Sequence, residues 1–121
     1  MADAEATVRQ LKEVVKNFCD EREWGKFHTP KELAIGMVTE SSELLQLFRF
    51  KSDEEARAML ADPRRREEVG DELADSLYFL LRFADVAGFD LSECLSSKLK
   101  KDAERYPAEK VKGSNRRYDE G

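Results

Sequence analysis

The chain has 121 residues, of which 39% are charged and 40% are hydrophobic, and its formal net charge is −5. This length predicts a single domain over residues 1–121, with a core at about 5–107 and a tail at 108–121. The balance of charged and apolar residues is typical of amphipathic helices rather than of a β-sandwich or a barrel. The negative net charge argues against non-specific nucleic-acid binding, which requires a basic face.

The few cysteine and histidine residues further restrict the classes of protein to which the chain can belong. Cys19 and Cys94 form no CxxC pair and His28 is the only histidine, which argues against a zinc site. No apolar run approaches the ~20 residues that a membrane span needs, and the N-terminus does not resemble a signal peptide. We therefore expect reduced thiols in a cytoplasmic protein that binds neither membrane nor nucleic acid.

Apolar periodicity and capping residues predict five helices, at about residues 5–22, 30–50, 52–61, 63–87 and 91–105. Thr29 is the expected N-cap of the second helix, with Pro30 at its first position and Glu32 completing a capping box. Ser52 is expected to cap the third helix, and Gly88 is expected to end the fourth. The tail from residue 108 is polar and is expected to be loosely ordered.

Four helices carry apolar stripes. The stripe of the first helix is expected to face the core or a subunit interface and comprises Val8, Leu11, Val15, Phe18 and Cys19. The stripes of the other three are expected to face the core. The predicted core residues are Leu33, Met37, Leu44, Leu47 and Phe48 on the second helix, Val69, Leu73, Leu77, Leu80 and Ala84 on the fourth, and Leu91, Cys94, Leu95 and Leu99 on the fifth. The loop at 23–29 holds Trp24, Phe27 and His28. Its two aromatics suit a binding site, although taken alone they are more typical of a core.

Two acidic pairs interrupt this pattern, Glu40-x-x-Glu43 on the second helix and Glu72-x-x-Asp75 on the fourth. Helical residues three apart share a face, so antiparallel packing of the two helices would bring the four carboxylates together. Glu40 lies within an apolar stripe, where a carboxylate is costly unless it is paired or bound to a metal. The pattern therefore favours a site for Mg²⁺, with Mn²⁺ as a substitute.

The same acids also fit other interpretations. In a chain with 26 Asp and Glu residues, such pairs arise by chance on solvated faces, and spacing alone leaves the two readings about equal. A di-iron carboxylate bundle is rejected because the chain has no Glu-x-x-His motif. If Mg²⁺ binds, phosphoryl chemistry follows, and Lys98 and Lys51 are candidate phosphate contacts unless they are only exposed surface charges.

The two pairs, separated by 28 residues, resemble the ExxE…ExxD metal motif of the all-α MazG-like nucleoside triphosphate pyrophosphohydrolases. The likeness extends from about Glu21 to Tyr118 and is nearest to the dCTP pyrophosphatase branch. Further matching blocks are the segments 23–33, 43–51 and 98–113. Matching blocks in the same order are far more specific than a single acidic pair.

The resemblance implies a four-helix-type fold, assembled as a homotetramer (a dimer of dimers) with sites between subunits. It implies cleavage between the α- and β-phosphates of a nucleoside triphosphate, with dCTP or a modified dCTP preferred. Glu40, Glu43, Glu72 and Asp75 would hold the metal, and one of the first three would act on the water. The residues implied around the nucleotide are Trp24, Phe27, His28, Phe50, Lys98, Asp102 and Tyr106, with Arg105 a weaker candidate.

Two positions depart from the family pattern. Asp102 stands where asparagine is usual, which replaces an amide that also donates with a carboxylate that only accepts. Phe50 stands where close relatives often have tryptophan, so stacking area is smaller. Two rival functions stay open: a sister enzyme for dUTP or phosphoribosyl-ATP, and a helical oligomerisation or binding module without turnover.

Overall fold

The computed structural model describes residues 1–115, and every regular element in that range is helical. The helices are α1 (Val8–Glu21), α2 (Pro30–Phe48), α3 (Asp53–Ala61), α4 (Pro63–Ala87), α5 (Leu91–Arg105) and α6 (Ala108–Val111), with a 3-10 turn at Gly25–Phe27. The chain divides into two compact units, Met1–Gly88 and a second that begins at Phe89. The single domain stays a prediction. None of the described helices is long and apolar enough to cross a bilayer.

Side-chain caps set most of the helix starts. Ser52 and Glu55 form the predicted capping box before α3. The Thr29 hydroxyl accepts a hydrogen bond from the Glu32 backbone N–H at 3.3 Å, which is one half of the box predicted there. An unpredicted box joins Thr7 to Gln10, so α1 begins at Val8 rather than near residue 5.

One expected helix end was wrong. The helix predicted to reach residue 50 ends at Phe48, because Arg49 is extended and Phe50 adopts a left-handed φ of 63°. The tail expected to be loosely ordered contains α6, a single helical turn after Pro107, and its residues 116–121 lie outside the described range. Gly88 ends α4 as predicted, with a left-handed φ of 77° that glycine adopts without steric cost.

Helix α4 packs against α2, α1 and α3, and the α2–α4 contact is the most extensive. Later residues of α2 contact earlier residues of α4. Gly36 lies against Phe79, and the hydroxyls of Ser41 and Ser76 are 3.3 Å apart. Farther along, Leu44 shares a groove with Leu73. The two helices are therefore antiparallel, as the acidic pairs required.

The buried core of the described chain is small. Its apolar members are Cys19, Leu33, Met59, Val69, Leu81 and Ala84. Several residues predicted to face the core are instead exposed, namely Leu73, Leu77, Leu80, Cys94, Leu95 and Leu99. The periodicity correctly located an apolar face on α4, but the neighbouring helices of a single chain do not cover that face. Val69 and Ala84 of the predicted stripe are buried, together with Leu81, which was not predicted.

Replacing Gly36 by alanine is expected to destabilise the fold. A Cβ at this position would lie against the Phe79 ring, 2.8 Å from two of its atoms, and that ring is held edge-on to Tyr78 at 5.0 Å. We expect a loss of about 1–3 kcal/mol from overpacking, measured by urea unfolding at fixed protein concentration. Gly70→Ala in α4 is the control: its Cβ meets nothing within 4 Å, so the helix preference for alanine should add up to about 1 kcal/mol. Equal stability changes in the two variants would contradict the close approach.

Candidate functional site

Three carboxylates converge where α2 and α4 face each other. Glu40 on α2 and Glu72 and Asp75 on α4 each offer an oxygen within 4.8 Å of the others. Glu40 and Glu72 are half-buried and Asp75 is exposed. Helical spacing puts Glu72 and Asp75 on one face, and antiparallel packing brings Glu40 to it. These three residues are called the acidic cluster below.

The electrostatics of the acidic cluster fit a hard divalent cation. Burial and the negative charges of Asp75, Glu43 and Glu40 raise the pKa of Glu72 above its ordinary value. One buried oxygen of that side chain, Oε2, has no hydrogen-bond partner in the described chain. A buried acceptor with no donor, surrounded by other carboxylates, is an arrangement that Mg²⁺ or Mn²⁺ relieves.

Glu43 is beside the acidic cluster but not part of it. Its side chain is exposed, and its oxygens do not fall in the group that could jointly contact one ion. Its charge nevertheless raises the pKa of Glu72, so it lies close enough to interact. The structure thus brings together three of the four predicted metal ligands and places the fourth nearby.

A cavity of about 520 Å³ opens beside the acidic cluster. Its walls come from α1, the loop before α2, α2 and α4, and its lining residues are Phe18, Trp24, His28, Glu40, Ala74, Asp75, Tyr78 and Phe79. The volume lies in the range of small-molecule sites, and aromatic walls with a few polar groups are typical of them. One side of the cavity is thus acidic, and the other offers aromatic faces.

The aromatic wall is built by edge-to-face contacts. The Phe18 ring lies 5.7 Å from Trp24 and 6.2 Å from Tyr78, and Tyr78 in turn contacts Phe79. The Tyr78 hydroxyl and the Cys19 thiol are 3.2 Å apart. Burial and this hydrogen bond raise the pKa of Tyr78 to about 12, so its hydroxyl stays protonated near neutral pH. The rings of this wall are therefore uncharged near neutral pH.

His28 is held in the cavity from behind. The Arg82 Nε–H donates a 2.9 Å hydrogen bond to Nδ1 of His28. Burial, and next the positive charge of Arg82, lower the pKa of His28 below its ordinary value of 6.5. The imidazole is therefore neutral at physiological pH.

The neutral state of His28 is directly measurable because the chain has only this histidine. We expect an NMR titration midpoint below 6.5 in the folded chain and a return towards 6.5 in urea. Since the folded-state pKa is lowered, this group contributes stability above about pH 6.5 that is lost as the pH falls through the folded-state pKa. A folded midpoint at or above 6.5 would contradict the buried contact with Arg82.

Among the predicted base-pocket residues, Trp24 and His28 line the cavity. Phe27 and Phe50 do not, and neither does Lys51, a predicted phosphate contact. Phe50 is 91% exposed and stacks only against the Arg49 guanidinium, 4.6 Å from its ring centre. Within a single chain, therefore, only some of the residues predicted to contact the nucleotide line this cavity.

The remaining predicted contacts belong to the second unit. Lys98 and Asp102 form an ion pair one turn apart on α5, with Nζ and Oδ1 separated by 2.6 Å. Arg105 is the last residue of α5, and Tyr106 follows it as the C-cap. Asp102, the departure from the family pattern, is thus engaged by Lys98 within its own helix.

Sequence analysis did not identify four residues of this region: Phe18, Tyr78 and Phe79 as cavity residues and Arg82 behind them. A signal for Arg82 was present, since it is a charged residue inside the apolar run Leu80–Ala84 of α4. Tyr78 lies three residues after Asp75, on the same face of the helix. Tyr78 and Arg82 are both reached when the row of Glu72 and Asp75 is continued along α4 at helical spacing.

Comparisons with known proteins agree with the geometry. The family model described as MazG-like matches residues 35–120. Human dCTP pyrophosphatase 1 is 34% identical over 116 residues, covering 96% of this chain and 68% of its own length. The mouse protein of that name is 33% identical, with 94% and 67% covered. A pyrophosphatase structure from Archaeoglobus fulgidus has a TM-score of 0.78 and 35% identity, covering 88% of this chain and 98% of its own.

Proposed function

Because the chain belongs to the MazG-like family, we propose that it hydrolyses dCTP, or a base-modified dCTP, to the monophosphate and diphosphate with the help of Mg²⁺. The broader prediction, a nucleoside triphosphate pyrophosphatase, is confirmed by its relatives. The base preference, the metal and the role of each residue are parts of the proposal. So are the cytoplasmic location and a role in cleansing the nucleotide pool.

One observation supports the proposal most strongly: the acidic cluster and the aromatic wall face the same cavity. Glu40 and Asp75 line one side of the 520 Å³ space, and Trp24 and His28 line another. A nucleoside triphosphate needs both surfaces, because its phosphates require cations and its base stacks on aromatic rings. A purely structural acidic patch would not need to open into an aromatic cavity.

Glu40, Glu72 and Asp75, with Glu43 beside them, would hold Mg²⁺, with Mn²⁺ as a substitute. When bound, the ion neutralises phosphate charge and makes a nearby water easier to deprotonate. Among the protein's own groups, a carboxylate of Glu40, Glu43 or Glu72 orients that water and accepts its proton.

Trp24 and His28 would contact the base from within the chain. Phe27, Phe50, Lys51, Lys98, Asp102 and Tyr106 would complete the nucleotide site in an assembled homotetramer with sites between subunits. Exposed apolar stripes support such an assembly: Ile35, Val38 and Leu45 repeat at coiled-coil spacing on α2, and Leu73, Leu77 and Leu80 do so on α4. Light scattering coupled to gel filtration should give four chains per particle.

A nucleotide panel tests the function. Purified protein is given dCTP, 5-methyl-dCTP, dUTP, dTTP and phosphoribosyl-ATP, with and without Mg²⁺, and diphosphate release is followed. We expect the highest kcat/KM with dCTP or its methylated form and no release without the metal. A preference for dUTP or phosphoribosyl-ATP would favour the sister-enzyme alternative. Calorimetric binding of a non-hydrolysable analogue without any turnover would favour a binding module.

A further inference from the structure

Arg82 is a buried cation that the acidic cluster does not explain. It lies on α4 with 6% of its surface exposed, in an otherwise apolar stretch of the helix. Its Nη1 is 3.6 Å from Asp85 Oδ2, and its Nε–H bonds to His28. Its Nη2 lies 3.7 Å from the position that a Cβ on Gly25 would occupy. Burying a guanidinium costs free energy unless its N–H groups are hydrogen-bonded. The hydrogen bond to His28 therefore offsets part of the cost of burying Arg82.

The direction of that bond determines the state of the imidazole. Arginine only donates, so Nδ1 of His28 must present a lone pair and carry no proton. In a neutral ring the proton then sits on Nε2. Within the described residues Nε2 makes no hydrogen bond, and the ring lines the 520 Å³ cavity. The imidazole therefore has a free donor and no free acceptor.

We propose that Arg82 is a specificity-determining positioning residue: its bond to Nδ1 holds His28 as a hydrogen-bond donor that selects bases with an acceptor at the facing position. The role in base selection rests on the proposed function, because it requires a nucleotide base in this cavity. Arg82 itself touches no substrate and acts only through His28. Without it, the two tautomers of the ring would compete, and the acceptor form would accommodate a different set of bases.

Two substitutions separate the hydrogen bond from the charge. In Arg82→Gln the amide nitrogen stands at the same position along the side chain as the arginine Nε, so a donor is kept while the charge is lost. In Arg82→Met a methyl group stands at that position, so both are lost. Each variant leaves Asp85 without its ion pair, so that loss cancels when the two are compared. The two differ in the group that faces His28, because the glutamine amide can donate to Nδ1 or accept from it and the methionine methyl can do neither.

The first readout is spectroscopic and needs no substrate. Because His28 is the only histidine, long-range ¹H–¹⁵N correlation of tag-free protein reports its tautomer without assignment. We expect a single Nε2–H form in the wild type, where the guanidinium only donates, and a mixture of tautomers in Arg82→Met. The amide of Arg82→Gln can pair with either tautomer, so a mixture is expected there too. A single Nε2–H form in Arg82→Met would overturn the proposal, provided that near-ultraviolet circular dichroism shows this variant to be folded.

The second readout is the KM profile over dCTP, dUTP, dTTP, dATP and dGTP. If about half of the rings carry the proton on Nε2, the apparent affinity for a base that requires this donor falls about twofold. We expect Arg82→Met to raise KM for the preferred nucleotide by about that factor and to flatten the profile, with kcat unchanged. In a His28→Ala background, Arg82→Met should have little further effect on the profile.

The two readouts keep the inference separate from the proposed function. If the wild type releases diphosphate from no nucleotide, the proposed function fails, and the role of Arg82 in base selection fails with it. The tautomer measurement then still decides whether Arg82 orients the ring. If the tautomers differ between the wild type and Arg82→Met but the KM profiles do not, Arg82 orients the ring without determining specificity, and the proposal is overturned.

Discussion

Glu72→Gln is expected to abolish turnover while leaving the helices folded. Glu72 occupies the centre of the acidic cluster, and its charge is opposed by burial and by Asp75, Glu43 and Glu40. The amide keeps the shape but cannot hold a cation as a carboxylate does. Removing one preorganised electrostatic group at a reaction centre typically costs 10²–10³ in kcat, so we expect a loss of at least about 100-fold.

The same substitution should not weaken the metal-free fold. The raised pKa of Glu72 means that this group favours folding below its ordinary value of 4.5 and loses that contribution as the pH rises through its folded-state pKa. At neutral pH the ionised side chain therefore opposes folding, and the amide removes this opposition. We expect unchanged or higher stability in urea with EDTA present, and a smaller pH dependence than in the wild type.

Glu67→Gln is the matched control, because it removes one negative charge from an exposed position of the same helix. We expect it to retain wild-type turnover. If Glu72→Gln kept activity close to that of Glu67→Gln, the acidic cluster would have no part in the reaction. If Glu72→Gln unfolded the chain, the unpartnered Oε2 would have to serve the fold rather than a metal.

Withdrawing the divalent cation is expected to have an effect of similar size. Chelation with EDTA should reduce diphosphate release to background, and Mg²⁺ in excess should restore it, with Mn²⁺ able to substitute. Since the acidic cluster is preformed, the ion should also stabilise the folded chain, by about 2.7 kcal/mol at 100 times its dissociation constant. Thermal unfolding at several Mg²⁺ concentrations measures this gain.

The gain should depend on the acidic cluster. In Glu72→Gln the stabilisation by Mg²⁺ should be much smaller, whereas in Glu67→Gln it should match the wild type. Equal stabilisation of all three proteins would mean that the ion binds elsewhere on this acidic chain. Undiminished turnover in EDTA would remove the metal from the proposed mechanism altogether.

Helix positions were predictable because their signals are local. Ser52 with Glu55 set the start of α3, and Gly88 ended α4, through side chains and dihedral preferences within a few residues. Errors arose where a local signal was ambiguous. Thr7 was not recognised as a cap, and Phe50 was included in a helix whose last residue is Phe48.

Burial was less predictable than periodicity. The spacing of Leu73, Leu77 and Leu80 correctly identifies an apolar face of α4, but a period does not say what covers that face. The single chain leaves it exposed, and the same holds for Leu95 and Leu99 on α5. Which face is buried depends on the number and direction of neighbouring helices, and these are properties of the tertiary structure and not of one helix.

The sequence by itself determined the helical class, the two acidic pairs and the antiparallel arrangement that makes them meet, because i, i+3 spacing and chain reversal are local geometry. Only the tertiary structure decided that Glu40, Glu72 and Asp75 share one centre while Glu43 stands beside it. It also decided that Arg82 supports His28 across 54 positions of chain. Contacts of that separation depend on how whole helices pack, and no short stretch of residues encodes them.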